Sequence, residues 1–314
     1  MDTLKNISII FTSIFFESLP FLLLGAFISS IIETYVSDET MAKIIPKNKV
    51  FGSFVGIFLG LFLPACDCAV IPVSKRFLKK KVPINVAVSF MLASPIINPV
   101  VLLSTYYAFF KTNPEVFWYR LLFGIIIALV IGIIMGIIYN NKRVIKNELL
   151  EDDDDDDCCA CECEHHHEHH HKHTLKGDLL SIIKHTANDM FEVVKYLMFG
   201  ALIASIVQVM LPRSVMNVFN DNQVLSILVL MIFAYLISLC STSDSFVGKS
   251  LLQSFSKGSV MAYLLLGPMI DVKNTFVLLG NYKKSFVITL ISLIFVVTFI
   301  CSWIVVMFIW KINF

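Results

Sequence analysis

Charge is scarce in this chain. Only 16% of its 314 residues are Asp, Glu, Lys or Arg, where a soluble domain carries about a quarter. The apolar share is 57% and the mean hydropathy is +0.78. So little charge excludes a single soluble enzyme and a disordered chain. No glycine-rich loop cradles a phosphate, so the chain does not drive transport with its own ATPase. No basic stretch forms a groove or a free helix face, which excludes nucleic-acid binding. No quinone or haem ligand pattern stands out. The first apolar run, 7–32, outlasts a signal-peptide core and lacks a small-x-small cleavage site, so it reads as a retained span.

What is present comes in long apolar blocks. A bilayer core takes about 20 apolar residues per helix. Runs at 7–32, 51–71, 84–110, 117–139, 187–211, 223–243, 258–280 and 285–310 meet that length. The expected fold is an all-α polytopic membrane protein of about eight transmembrane helices. They form two related four-helix halves with broken helices at the centre. Residues 1–140 are the first half, 141–180 a polar cytoplasmic linker and 181–314 the second half.

The halves echo each other. Phe16-Glu17 and Leu24-Gly25-Ala26 return as Phe191-Glu192 and Phe199-Gly200-Ala201, 175 positions later. Cys66 and Lys75 return as Cys240 and Lys249, and Pro95 and Asn98 as Pro268 and Asp271. Duplicated halves around a central site are typical of secondary transporters. Eight clean spans would make the halves parallel; a re-entrant segment at Cys66-Asp67-Cys68 would make them inverted. With eight spans, Lys and Arg divide fifteen to nine between the two faces, led by the cluster Lys75 to Lys81. That bias places both termini and the linker in the cytoplasm. Gly52, Gly56 and Gly60, like Gly132 and Gly136, recur every four residues, a spacing that lets helix backbones approach closely.

The residues able to do chemistry lie at the interruptions. Pro64-Ala65-Cys66-Asp67-Cys68-Ala69-Val70-Ile71-Pro72 sets two thiols and a carboxylate between helix-breaking prolines. In unwound backbone Cys66 and Cys68 would face one soft ligand together, with Asp67 beside them. The matching Cys240-Ser241-Thr242-Ser243-Asp244-Ser245 keeps one thiol and one carboxylate, so Cys66, Cys68 and Cys240 would form a three-thiol cup. Ser94-Pro95 with Asn98, and Gly267-Pro268 with Asp271, interrupt corresponding spans, the best pointer in a sequence to a transporter binding site. Glu17 and Glu192 lie within apolar spans, where carboxylates serve a pathway or a partner, and are candidate proton carriers. Cys301, deep in an apolar run, is a packing residue.

The linker is of another kind. Glu151, six aspartates at 152–157, Glu162, Glu164 and Glu168 make it acidic, and without 151–173 the chain has 24 basic residues against 14 acidic. Cys158, Cys159, Cys161, Cys163, His165, His166, His167, His169, His170 and His171 crowd the same tract, suited to Zn²⁺, Cu⁺ or Ni²⁺. The spacings match no zinc finger, so the tract reads as a flexible metal-collecting or metal-sensing loop. No resident cofactor is required elsewhere.

From Pro64 to Pro72, and again over Phe90-Met91-Leu92-Ala93-Ser94-Pro95-Ile96-Ile97-Asn98-Pro99, the chain resembles a bacterial predicted-permease family that includes the organoarsenical efflux permeases. The resemblance runs nearly end to end. It implies a cell-membrane permease exporting trivalent, thiol-reactive arsenicals, arsenite or soft heavy-metal cations. The expectation is therefore a non-enzymatic, proton-coupled exporter. Cys66, Asp67, Cys68, Cys240, Asp244, Asn98 and Asp271 would bind substrate, and Glu17 and Glu192 would couple protons. Its partners would be the lipid bilayer and a small thiophilic solute, with a homo-oligomer left open. A membrane thiol-disulfide oxidoreductase, and a metal sensor acting through the Cys/His loop, are the competing readings.

Overall fold

The computed structural model describes residues 2–35, 46, 48–62, 67–140, 144–145, 175–210 and 222–309. Twelve α-helices account for nearly all of them. The first half holds α1 (Asp2–Tyr35), α2 (Lys49–Phe62), α3 (Asp67–Lys79), α4 (Ile84–Ile97), α5 (Pro99–Phe109) and α6 (Glu115–Ile138). The second repeats the order with α7 (Leu175–Met210), α8 (Gln223–Ile237), α9 (Ser241–Leu251), α10 (Lys257–Met269), α11 (Val272–Asn281) and α12 (Lys284–Ile304), closed by a π turn at Val305–Ile309. The first helix of the second half thus begins within the stretch expected to be linker.

Two of the eight expected spans do not cross. The 14 residues of α2 rise about 21 Å, short of a hydrocarbon core of about 30 Å. Their glycines show the direction. Gly52 stands against Asn85 and Val86 of α4, Gly56 against Val86 and Phe90, and Gly60 against Ser94, so α2 runs parallel to α4. A Cβ on Gly56 would lie within 2.4 Å of the Val86 carbonyl oxygen, which is why this face is glycine. Helix α3 runs the other way, with Ser74 reaching Met91 and Phe77 packing edge-on against Phe90. The run 51–71 therefore enters and returns to the face it came from. The run 223–243 does the same. Phe233 and Ala234 of α8 and Ser238 just after it meet Tyr263, Gly267 and Lys273 in order, while Asp244 and Gly248 of α9 meet Gly267 and Leu264 in reverse.

Six helices among the described residues are long and apolar enough to cross: 3–32, 84–109, 115–138, 186–210, 257–281 and 284–307. The windows over α4–α5 and α10–α11 are 78% and 83% buried, whereas that of α1 is 17% buried, so the two broken spans are the centre and α1 lies at the edge. Each breaks where the residues dictate. Asn98 precedes proline, which disfavours the helical backbone, and its Oδ1 accepts from the Val100 N–H at 3.0 Å to start α5. Asp271 takes φ −140° and accepts from the Asn274 N–H at 2.7 Å to start α11.

The halves are inverted. Helix α6 is antiparallel to α4, since Gly124, Gly132 and Gly136 meet Ile96, Ser89 and Asn85. Lys257, which opens α10, pairs with Glu115, which opens α6, at 2.7 Å. At the other face, the Lys283 N–H donates to the Val144 carbonyl at 2.8 Å beyond the end of α6. One hairpin thus opens at the face of Lys79 to Lys81 and the other at the face of Glu115 and Lys257. The peripheral helices conform: Thr186 bonds Ser30 while Ile14 packs on Ala201 and Ala204, so α1 and α7 are antiparallel.

This arrangement overturns the shared placement of termini and linker. A re-entrant hairpin uses no crossing, so each half crosses three times, not four. The chain enters α1 at the Glu115–Lys257 face, joins α6 to α7 at the opposite one, and leaves α12 where it began. Lys49, Lys283 and Lys284 now share a face with Lys79 to Lys81, Lys249 and Lys257 move to the other, and Arg120 and Lys273 are buried rather than in loops.

Overpacking a tight helix contact costs about 1–3 kcal/mol. Gly56→Ala is therefore expected to lower the melting temperature of the purified protein in detergent, while Phe58→Leu on the exposed face leaves it in place. Equal melting of Gly56→Ala and wild type would show that α2 does not rest on α4 through its glycines.

Candidate functional site

The two interrupted spans and the two hairpins bring four half-helix N-termini to mid-depth: those of α3, α5, α9 and α11. They pack crosswise between the halves, α3 on α11 and α5 on α9. The first pair carries the thiol chemistry. Cys68 donates its S–H to Asn274 Oδ1 at 3.5 Å. The equivalent glycines Gly25 and Gly200 make room for it, because a Cβ would fall 2.5 Å from Ala69 Cβ at Gly25 and 2.7 Å from Lys273 Cα at Gly200.

A small cavity of about 20 Å³ lies against this pair, lined by Glu17 and Ser18 of α1, Asp67 and Cys68 of α3, Ser238 and Cys240 at the α8–α9 break, and Lys273 of α11. That is room for about one water. Asp67 also borders a second cavity, of about 10 Å³, walled by Ile71, Met91, Pro95, Pro268, Met269, Asn274, Leu278 and Leu290. Asp67 thus borders both small cavities. Although Asp67 is buried, its Oδ1 has no hydrogen-bond partner.

Lys273 and Asp271 form an ion pair at this depth, with Nζ 2.9 Å from Oδ2 and both side chains buried. The α5–α9 pair holds a second polar cluster. Arg120, fully buried, donates from Nη1 to Thr105 Oγ1 at 2.6 Å and Ser245 Oγ at 2.7 Å. Asp244 accepts from the Tyr263 hydroxyl at 2.8 Å and rests against Gly267, where a Cβ would crowd its Oδ2 at 2.9 Å.

The expected site residues therefore divide. Asp67, Cys68, Cys240 and Glu17 share one cavity. Asp271 lies behind Lys273 and Asn98 caps α5, both buried. Asp244 does not line either of these two cavities; its Oδ1 accepts from Tyr263, while its buried Oδ2 has no hydrogen-bond partner. The backbone around Cys68 is not unwound: α3 has already begun at Asp67 and runs through Pro72. Cys66 and the tract from Cys158 to His171 lie outside the described residues, and so does the side chain of Glu192. Among the described residues no three His, Cys, Asp or Glu side chains stand close enough for one metal ion, so Asp67, Cys68 and Cys240 form no rigid cage. Cys301 is buried in α12, as a packing residue should be.

Lys273, Arg120, Tyr263 and Asn274 were not expected at the centre. The signal for the first two was present. Both lie inside apolar runs, and the rule that singles out Glu17 applies to them equally.

An all-α polytopic membrane protein, built as an inverted repeat around a buried polar centre, is the class these features define. Within it the chain belongs to the predicted-permease family, whose model matches residues 3–307. It is 40% identical over 288 residues to the UPF0718 protein YcgR of Bacillus subtilis, covering 92% of each chain. It is 36% identical over 283 residues to a putative two-component membrane permease complex subunit of Streptococcus mutans, covering 90% of this chain and 89% of that one. No solved structure matches.

Arg120 ties α6 to both α5 and α9, so Arg120→Leu, which removes the buried charged donor shared by Thr105 and Ser245, is expected to cost about 3 kcal/mol. Thermal unfolding of the full chain in detergent measures it, and an unshifted transition would show that the halves do not depend on this contact.

Proposed function

We propose that the protein exports a thiophilic species, a trivalent organoarsenical or a soft cation, in exchange for protons. The observation that supports this most is the meeting of Cys68, Cys240 and Asp67 on one small cavity between the inverted halves. Thiolate and thiol sulfur select soft solutes. A monoorganyl arsenic(III) centre carries two exchangeable hydroxyls. Two thiols replace them, forming two As–S bonds and releasing two waters. Transport requires that this ligation be reversible, and a pair of cysteines on separate helices, outside any rigid cage, suits release when the halves move apart. Inverted repeats rocking about a fixed central site supply alternating access. Glu17 and Asp67, on the same cavity, are the carboxylates placed to carry protons back.

Orientation follows from charge. The face of Lys49, Lys79, Lys80, Lys81, Lys283 and Lys284 also receives both ends of the linker, which carries Lys142, Arg143 and Lys146. By the bias of Lys and Arg towards the cytoplasm, that face is cytoplasmic and both termini are outside. The acidic Cys/His tract then collects metal on the side from which export begins. A second subunit, as the name of the streptococcal relative describes, would join the same assembly.

Two experiments test this reading. In everted vesicles, methylarsenite accumulation should fall by more than about tenfold in Cys68→Ser and in Cys240→Ser, because each removes one of two sulfur ligands; equal accumulation by wild type and both variants would overturn the thiol role. An epitope tag at the C-terminus should be reached by antibody on spheroplasts, and a tag in the linker only in everted vesicles. Both tags labelled on the same side would overturn the orientation.

A further inference from the structure

The ammonium of Lys273 takes no part in the thiol chemistry, yet its surroundings are those of a cation site. Besides Asp271 Oδ2 at 2.9 Å, Nζ donates to the main-chain carbonyls of Ser238 at 3.2 Å and Leu239 at 3.3 Å. Those carbonyls are available because α8 ends there. Ser238 adopts φ 51°, ψ 47°, turning the chain out of the helix, so its last oxygens have no helical partner. The negative end of the α8 dipole and a carboxylate thus converge on one buried point. A carboxylate with carbonyl oxygens at an unwound helix end is a donor set by which transporters hold alkali cations. All three donors are hard oxygens, unlike the sulfurs across the cavity.

We propose that Asp271 with the carbonyls of Ser238 and Leu239 forms a monovalent-cation site of the Na⁺ or K⁺ type, and that Lys273 fills it with a cation tethered to the protein. The permease carries its own counter-charge at mid-membrane and needs no free alkali ion to neutralise Asp271. Close approach of α7 keeps the tether in place, since Gly200 lies directly on the Lys273 backbone. The part of this inference that concerns transport rests on the proposed soft-solute export; the site itself does not.

The test vacates the site. Wild type, Lys273→Gln and the double variant Lys273→Gln/Asp271→Asn are purified as full chains and melted in NaCl, KCl and choline chloride at equal ionic strength. Wild type should melt alike in all three. Lys273→Gln should melt lowest in choline and rise saturably with Na⁺ or K⁺, and the double variant should show no such dependence. Equal melting of Lys273→Gln in the three salts overturns the proposal. So does failure to recover that variant in every salt, because a true cation site would accept the free ion in place of the lost ammonium. In everted vesicles, methylarsenite uptake by Lys273→Gln should require Na⁺ or K⁺ while wild type works in choline. Absence of uptake by wild type would count against the export reading alone, with the melting comparison still deciding the site.

Discussion

A bilayer interior offers no water to a backbone that stops being helical, and this protein stops four helices at mid-depth. Everything near the centre answers that constraint. Asn98 and Asp271 cap the resumed halves of the two broken spans with their own side chains. Where α8 ends in a left-handed residue, the ammonium of Lys273 takes up the freed carbonyls. A buried lysine and a buried aspartate would each be costly alone. Placed together on unsatisfied carbonyls, they discharge a debt the broken backbone creates. The polar centre is thus first a condition for having the interruptions at all, and only then a place to put a solute.

Close packing makes the interruptions possible. Gly52, Gly56 and Gly60 press α2 onto one face of α4, and Gly124, Gly132 and Gly136 press α6 onto an adjoining one. The first half of the central span is therefore held by backbone contact on two faces. By contrast α1 is mostly exposed, with Glu17 on its inner aspect at the cavity.

Much of this was legible in the residues. The prolines at 95, 99 and 268 and the polar residues at 98 and 271 announced the two broken spans, and the repeat of Gly25 as Gly200 marked the close approach of α1 to α3 and of α7 to α11. The glycine stripes announced helix packing. The hairpins were not legible, for a physical reason. A re-entrant pair and a spanning helix are equally apolar, and the run 51–71 has the length of either. That single ambiguity carried others with it. Counting α2–α3 and α8–α9 as crossings moved Lys283 and Lys249 to the wrong faces and made Lys273 look like a loop residue. Arg120 was hidden in the same way, near the start of a run, although a guanidinium held by two hydroxyls ties the halves together. The unwound backbone expected at Cys66-Asp67-Cys68 is helix from Asp67 onward, because Pro72 is accommodated inside α3 rather than ending it.

Three crossings per half is an odd number, and oddness has a consequence for ancestry. Two copies of such a unit, joined end to end, cannot sit the same way up without an additional membrane passage. The junction here joins them directly, so the second copy is upside down by arithmetic alone. A fold of this kind descends most simply from a single half that inserted in both orientations and paired with its own inverted twin. Fusion of one copy of each would leave the two hairpins free to diverge, one carrying Cys68 and the other the hydroxyls of Ser241, Thr242, Ser243 and Ser245.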